Sequence, residues 1–327
     1  MTTATGHTST APLSAPIPSL WSALPPEYAI PDVAPSLAEA RAYCRRLARS
    51  HYENFSVASW FLPKHLRQHF FNVYAYCRIS DDLGDEVGDT AISLQLLDDW
   101  ETELNACYSA GDHPRHPVFV ALAETVREFE IPKHEFVDLL TAFRQDQSVG
   151  RYETFADLLR YCHYSANPVG HLVLYLCGYR DAERQKLSDF TCTALQLANF
   201  WQDVSADFLK GRIYLPLEDL RRFGVSESAI RDGENSTAFR EMMRFEVERA
   251  RQWFAQGLPL VAKVDGKLAL DIELFSRGGQ EILNAIERQR FAVLGSRPAI
   301  SKMRKLALVG RAALGKLTGA QLRGEQR

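Results

Sequence analysis

Three aspartates lie within five residues in the stretch from Tyr74 to Glu86, YAYCRISDDLGDE. If this stretch is helical, four of its polar side chains recur at steps of four, three and four and share one face. They are Tyr74, Arg78, Asp81 and Asp85. Two carboxylates one turn apart repel each other, and a hard divalent cation with oxygen ligands removes that repulsion. The spacing therefore fits a metal site, and a solvated acidic surface is the alternative.

A second polar stripe lies far down the chain, in QLANFWQDVSADF. Its members recur at steps of three, four and four, so they would also share one helix face. They are Gln196, Asn199, Asp203 and Asp207. Each stripe ends in acids and lies within an otherwise apolar helical segment. Two such helices suggest one shared site rather than two separate surfaces.

The composition is that of a globular protein. The 327 residues are 46% hydrophobic and 24% charged, with a formal net charge of −3, so no nucleic-acid partner is expected. The six cysteines contain no C-x-x-C pair, which favours reduced core cysteines in a cytoplasmic protein. The sequence shows no apolar run long enough to span a membrane and no signal peptide.

Helical patterns dominate the chain, and nothing alternates with period two for long enough to form a sheet. We expect three parts: a disordered Pro/Ser/Thr-rich leader over residues 1–33, an all-α domain over 34–296 and a basic tail over 297–327. The predicted fold is all-α, a single-domain helical bundle with a central cavity.

Helix boundaries follow from capping and proline signals. A capping box predicts a helix start at Ser36 with Glu39, and Pro63 suits the first position of the helix that carries the first acidic stripe. Ser188 is the predicted cap of the helix that carries the second stripe. An apolar helix before it should be interrupted at Pro168.

The basic tail allows two interpretations. From Arg297 onward the chain carries eight Lys or Arg residues and one Glu, with apolar residues at helical spacing. One interpretation is an ordinary surface helix. The other is peripheral attachment to the anionic inner face of the cell membrane.

Four segments carry a family resemblance. In chain order they are HYENFSVASWFLP, YAYCRISDDLGD, YCHYSANPVG and QLANFWQDVSADFLKGRIYLP. Together they resemble the signatures of the squalene and phytoene synthases, and the likeness extends from about residue 37 to about residue 306. The resemblance implies an isoprenoid-synthase-type fold and an enzyme that acts on a prenyl diphosphate. It also implies Mg²⁺ or Mn²⁺ ions that neutralise the leaving diphosphate.

The resemblance assigns roles to particular positions. Implied metal ligands are Asp81, Asp85, Asn199, Asp203 and Asp207, and the four aspartates and Tyr74 are the implied catalytic residues. Asp82 is left ambiguous by the doubled aspartate. Implied substrate contacts are His51, Asn54, Phe55, Arg78, Tyr161, Asn167, Gln196, Asn199, Gln202, Arg212 and Tyr214. Among them, Arg78, Arg212 and Tyr214 would contact diphosphate, and Phe55 and Tyr161 would line the prenyl cavity with Tyr74.

The chain departs from the family pattern near the site. Gln202 replaces a usual arginine, Asn167-Pro168 replaces a Gly-Thr pair, and Glu53 stands where a basic residue is common. The late pair Gly278-Gly279, like Phe291, occupies a region where many relatives carry tyrosines. Fewer cationic groups argue against binding two prenyl diphosphates at once.

In detail the chain is most similar to the hydroxysqualene-forming members of the bacterial hopanoid pathway. That similarity implies conversion of presqualene diphosphate to hydroxysqualene, with water, held by Asn167 or Gln202, as the final nucleophile. The sequence has no G-x-G-x-x-G fingerprint, and no NAD(P)H is expected. The alternatives are head-to-head condensation of two prenyl diphosphates and an inactive relative that acts as an assembly factor.

Overall fold

Helices form nearly all of the regular structure in this computed structural model, which describes Trp21 and residues 24–50 and 63–300. In chain order the α-helices are α1 (Leu37–Ser50), α2 (Arg67–Asp85), α3 (Thr90–Tyr108), α4 (Pro117–Phe129), α5 (His134–Gln145), α6 (Phe155–Ser165), α7 (Asn167–Leu176), α8 (Ala182–Leu209), α9 (Leu217–Phe223), α10 (Glu227–Arg231), α11 (Thr237–Gly257) and α12 (Gly266–Arg288). The described residues contain no strand beyond an isolated bridge between Arg151 and Ile213, so the all-α prediction is confirmed.

The predicted start of α1 is confirmed, because the Glu39 carboxylate accepts from the Ser36 backbone N–H at 2.9 Å. The prediction for α2 is wrong by four residues. Pro63 begins a turn, whose carbonyl accepts from Leu66 N at 3.0 Å, and the helix itself begins at Arg67.

The predicted cap of α8 is also wrong. The helix begins at Ala182, and the Asp181 side chain caps it by accepting from Arg184 N at 3.0 Å. Ser188 lies inside the helix and is buried. The break at Pro168 is confirmed, since α6 ends at Ser165 and α7 begins at Asn167.

The helices pack around two clusters of buried apolar side chains. The first lies among α1 to α5 and centres on Trp100 and Tyr76, both fully buried. The second lies among α6 and α8 to α12 and contains Trp201, whose indole N–H donates to the Glu246 carbonyl at 3.1 Å. Helix α8 packs against α6, α7, α11 and α12, so it is the central element of the second cluster.

The remaining sequence expectations concern membrane spans, the cysteines and the two ends of the chain. None of the helices in the described ranges is both long and apolar enough to cross a bilayer. The six cysteines are unpaired and buried or half-buried, as the sequence predicts for reduced core cysteines. The described end of the leader is ordered, because Pro26–Tyr28 forms a short 3-10 helix and Leu24 and Tyr28 are buried in the first cluster. The rest of the leader and the tail from residue 301 onward lie outside the described residues, so disorder there and membrane attachment stay predictions.

Candidate active site

The first acidic stripe lies on α2, as its spacing predicts. Asp85 at the end of this helix pairs with Arg212 at 2.9 Å and with Lys210 at 3.0 Å. Asp81 stands one turn earlier, with the Arg78 guanidinium 3.9 Å away. The stripe therefore ends in two carboxylates beside three cationic side chains.

Asp82 is buried and lies one turn after Arg78. Its buried carboxylate accepts a hydrogen bond from the Tyr28 hydroxyl at 2.7 Å and pairs with Arg78, whose Nε donates at 3.1 Å. These contacts orient Arg78 and attach the segment around Tyr28 to α2. In this structure Asp82 is thus engaged by Tyr28 and Arg78, and its role in the site stays a prediction.

The second stripe lies on α8 and is crossed by the segment that follows α12. There Arg297 pairs with Asp203, with its Nη2 2.9 Å from Oδ2, and also donates to Gln202 at 3.2 Å. The Gln202 amide in turn donates to the Pro298 carbonyl at 2.5 Å. A guanidinium from the C-terminal segment therefore lies beside Gln202.

The loop after α8 brings Arg212 and Tyr214 to the site. Ile213 N donates to the Gly150 carbonyl at 2.8 Å, which holds this loop against the segment after α5. A methyl group on Gly150 would lie 2.7 Å from the Gly211 carbonyl oxygen, so this approach requires glycine. Arg212 thereby reaches Asp85 from a different element.

The site carboxylates perturb one another. Loss of hydration in the cleft, together with the nearby Asp85, raises the pKa of Asp81 to about 6, although half of the Asp81 side chain remains accessible to solvent. Burial and the neighbouring Asp203 raise the pKa of Asp207 to about 7. Asp85 differs: burial opposes ionisation, but Arg212 and Lys210 outweigh it and lower its pKa. Asp85 also contributes to the raised pKa of Asp207, so carboxylates of the two helices act on one another. A shared metal site stays a prediction.

Asp146 is a site residue that the sequence reasoning missed. Its carboxylate accepts from the Tyr161 hydroxyl at 2.8 Å, and its pKa is raised to about 7, chiefly by burial. It lines a polar cleft of about 470 Å³ together with Asp85, Lys210 and Arg212. Asp146 follows α5 directly and belongs to neither acidic stripe, so periodicity could not reveal it.

An apolar cavity of about 390 Å³ lies between α2, α7, α8 and α12. Its walls are mostly aliphatic and aromatic, and Tyr74 is part of them, as predicted. The oxygen-bearing side chains among the described lining residues are Tyr74, Ser188, Thr191 and Asp271. Gly170 brings α7 close to α8 here, since a methyl group on it would lie 2.6 Å from Cys192 Sγ.

Tyr161 does not belong to the described lining of this cavity. It packs with Tyr152, Phe200 and Tyr214 in a group of aromatic rings, in which Phe200 and Tyr214 stack at 3.8 Å between centroids. The ring group lies beside Asp146 and Arg212. Tyr161 and Tyr214 thus reach the acidic end of the site rather than the apolar end.

The remaining predicted residues divide into three groups. Asn167 is buried and accepts from Thr193 at 3.0 Å, and Gln202 is held by Arg297 and Pro298, so both are engaged in contacts between elements. Gln196 and Asn199 lie on α8 between the cavity and Asp203, and Asn199 is exposed. The third group, His51, Asn54 and Phe55, lies outside the described residues.

The donor set suits a hard divalent cation, because it consists of carboxylates, and the pKa values of Asp81 and Asp207 are raised by burial and by a neighbouring carboxylate. Between residues 63 and 300, and in the shorter described stretch before them, no three such donors already converge on one point. Asp85 and Asp203 are instead paired with cationic side chains. Metal binding would require those pairs to open.

Comparison with known proteins decides the family. Residues 48–304 match the family model for squalene/phytoene synthase. The chain belongs to the squalene/phytoene synthase family. A 15-cis-phytoene synthase from Synechocystis sp. is 30% identical over 308 residues, which cover 90% of each protein. A phytoene synthase from Arthrospira platensis is 29% identical over 276 residues, which cover 80% of this chain and 89% of the relative.

Solved structures of the family share the fold. Squalene synthase HpnC from Alicyclobacillus acidocaldarius is 44% identical, with a TM-score of 0.74, and the match covers 83% of this chain and 98% of that one. A dehydrosqualene synthase in complex with ligand is 27% identical with a TM-score of 0.77, covering 86% of this chain and 98% of that one. The expected isoprenoid-synthase-type fold is therefore confirmed.

Proposed function

We propose that the chain converts presqualene diphosphate to hydroxysqualene in a Mg²⁺-dependent reaction of squalene and hopanoid biosynthesis. The C–O bond to diphosphate breaks and the diphosphate takes the electron pair. The carbocation rearranges within the apolar cavity. A water oxygen then forms the new C–O bond and releases one proton to solvent, so no reductant is consumed.

One observation carries this proposal: both acidic stripes continue into the cavity wall on the same helix faces. On α2 the face runs through Phe70, Tyr74, Cys77, Asp81 and Asp85. On α8 it runs through Ser188, Cys192, Asn199, Asp203 and Asp207. A charged head group at one end and a hydrocarbon at the other match this polarity.

The chain's own residues supply positioning and charge. Arg78, Lys210 and Arg212 lie beside the acidic cluster and would bind and orient the diphosphate. Bound Mg²⁺, held by the aspartates of both stripes and by Asn199, would neutralise charge on the leaving diphosphate. The apolar walls exclude bulk water until the cation has rearranged.

The water step needs a polar group that reaches the cavity. Asn167 and Gln202 are each engaged in a hydrogen bond between elements, so holding water there would require one of those bonds to exchange. The hydroxyl groups of Ser188 and Thr191 already line the cavity. They are further candidates to hold the water.

The test is a reaction on purified presqualene diphosphate in ¹⁸O-labelled water with Mg²⁺ and without nicotinamide. The expected product is a C30 alcohol that carries the label. A hydrocarbon product from presqualene diphosphate would contradict the proposal.

Head-to-head condensation of two prenyl diphosphates is the second candidate. The two sequence relatives described above are named phytoene synthases, which supports a condensing reaction for this chain as well. Farnesyl diphosphate supplied alone separates the candidates, because only a condensing enzyme would make a C30 product from it. Metal-dependent release of pyrophosphate from either substrate would exclude an inactive assembly factor.

A further inference from the structure

A second cavity lies next to the apolar one. It measures about 370 Å³, and Leu176 and Leu268 line it together with the polar side chains of His65, Asp265 and Lys267. The same two leucines also line the apolar cavity of about 390 Å³. Because the two cavities share these residues, Leu176 and Leu268 form a partition between them.

On α7 the partition lies at the end of the apolar cavity that is opposite the carboxylates. Leu176 is the last residue of α7, and the hydroxyl of the neighbouring Tyr175 accepts from Gln185 at 3.3 Å. Gln185 belongs to the first turn of α8. Asp203 follows it 18 residues later on the same helix, which corresponds to about 27 Å.

On α12 the partition lies at the same end. Leu268 belongs to the first turn of α12, and the Asp265 N–H that precedes this helix donates to the Tyr179 hydroxyl at 2.7 Å. Tyr179 lies in the turn between α7 and α8. Further along, Gly279 of α12 approaches Leu195 of α8, so the two helices start together and run in the same direction. Both partition residues therefore lie beside the α7–α8 turn.

The volume of the apolar cavity limits the length of the chain that it can hold. An apolar protein cavity of about 150 Å³ holds benzene, so each carbon atom needs about 25 Å³. At that ratio a cavity of about 390 Å³ holds about 16 carbon atoms. A C15 farnesyl chain fits this volume, whereas a C20 geranylgeranyl chain exceeds it.

A longer chain would meet two obstacles at the partition. Leu176 and Leu268 are only 1% and 2% exposed, so the surrounding packing holds them in place. Beyond them lie His65, Asp265 and Lys267, whose polar groups a hydrocarbon would dehydrate without offering hydrogen bonds in return. The last isoprene unit of a C20 chain is therefore excluded.

We propose that Leu176 and Leu268 form the floor of the apolar cavity and select C15 over C20 prenyl chains. This inference rests on the proposed function, from which it takes the prenyl diphosphate substrate, and deepens it by naming the chain class. One C15 chain of presqualene diphosphate occupies the described cavity, with its terminal carbons against the two leucines.

The test compares the wild type with Leu176→Ala, Leu268→Ala and the double variant by calorimetric titration. The probes are Mg²⁺ with non-ionising farnesyl and geranylgeranyl thiodiphosphates. The wild type should bind the farnesyl analogue about tenfold or more tightly than the geranylgeranyl analogue. Each change to alanine vacates about 75 Å³, the space of three carbon atoms. The ratio should therefore fall in each single variant and come within about threefold in the double variant.

Leu174→Ala is the matched control. Leu174 lies on the same helix as Leu176, is equally buried and lines the apolar cavity, but it is not part of the described lining of the second cavity. Its melting temperature should fall as it does for Leu176→Ala, since both changes leave a space in packed protein. Its preference for the farnesyl analogue should stay close to that of the wild type. A loss of preference in this control as large as in the floor variants would overturn the floor.

Milder changes cover the case in which the alanine variants do not fold. Leu176→Val and Leu268→Val remove less of each side chain and should shift the ratio in the same direction by a smaller factor. Variants that fold and keep the wild-type ratio would overturn the proposal.

The remaining outcomes separate the floor from the proposed function. A wild type that binds both analogues equally, or the geranylgeranyl analogue more tightly, would overturn the floor. A wild type that binds neither analogue would overturn the assignment of this cavity to a prenyl chain. A hydrocarbon product from presqualene diphosphate would overturn the proposed function but not the floor, because a condensing enzyme also selects the length of its chains.

Discussion

Two charged clusters of this protein combine carboxylates with arginine and differ in what surrounds them. Around Arg249, two buried carboxylates, Asp219 and Glu246, lie 2.8 and 3.2 Å from one guanidinium. That guanidinium is covered by the rings of Phe155 and Phe245 at 4.1 and 4.3 Å from their centroids. At the acidic site the charges instead face clefts and come from three separate segments of the chain.

The difference distinguishes a charge cluster that stabilises the fold from one suited to a ligand. The Arg249 cluster is closed, so a ligand has no room and its charges must satisfy one another. The site cluster keeps Asp81 half-exposed, and the pKa values of Asp81 and Asp207 are raised first by burial and then by repulsion from a neighbouring carboxylate. Such repulsion is tolerated where a cation can relieve it.

The largest effect on stability is expected from Arg249→Leu, which leaves Asp219 buried without its cation. The free energy of unfolding in urea should fall by about 3–5 kcal/mol. The matched control is Arg251→Leu, two residues further along α11, whose partners Glu248 and Glu287 are exposed. That variant should lose less than about 1 kcal/mol. Equal losses would show that the two clusters do not differ as described.

Asp81→Asn and Asp203→Asn should have the opposite effect: a large loss of activity with little change in stability. Each keeps the shape of the side chain but removes a ligand charge, so Mg²⁺-dependent pyrophosphate release should fall about 10²–10³-fold. The melting temperature should stay the same or rise for Asp81→Asn, because a repulsive charge is removed. Asp99→Asn is the control, because this half-buried α3 carboxylate lies outside the site and accepts a hydrogen bond from Gln95. Two site variants that both retain wild-type turnover would exclude the shared metal site.

A third effect concerns His171, which joins α5 to α8 through Glu135 at 3.0 Å and Asp189 at 2.7 Å. Burial alone would lower its pKa, but these carboxylates outweigh burial and raise the pKa from 6.5 to about 9. The raised pKa means that protonated His171 contributes about 2–3 kcal/mol to the free energy of unfolding. This contribution should be complete below pH 6.5 and lost as the pH rises through 9. Urea unfolding between pH 6 and 10 measures it. His171→Gln should flatten this dependence, and an unchanged slope would contradict the assignment.

The smallest effect should come from ligand binding at the site cluster. Mg²⁺ with inorganic pyrophosphate at a tenfold excess over Kd should add about 1.4 kcal/mol to the free energy of unfolding and so raise the melting temperature. Asp203→Asn should lose most of this shift, whereas Arg249→Lys should keep it. A shift of equal size in wild type and Asp203→Asn would place pyrophosphate elsewhere.

The sequence could predict those parts of the site whose residues recur at helical spacing along a single helix. Both stripes, Tyr74 on the cavity wall and the all-α fold follow from spacing that a helix must keep. It could not predict Asp146, which joins the site only because α5 ends beside Arg212. Nor could it predict that Arg297, read as part of a tail, returns to Asp203. Contacts between distant segments leave no periodic signal.

The sequence predicted the wrong start for α8 because two residues could each cap a helix there. Ser188 resembles a helix cap, but Asp181 lies seven residues earlier after a glycine turn and caps a longer helix. The same chemistry, a short polar side chain that accepts from a backbone N–H, was available at both positions. Only the packing of the first turns of α8 decides between them.

Helix α8 runs for 28 residues without glycine or proline, and it carries cavity wall in its first half and carboxylates in its second. Inserting one residue between these halves would rotate the acids by about 100° relative to the cavity. A substitution on α8 therefore leaves the acids aligned with the cavity, whereas an insertion between the two halves does not. Substrate range should diversify by substitution, while insertions accumulate in loops outside this register.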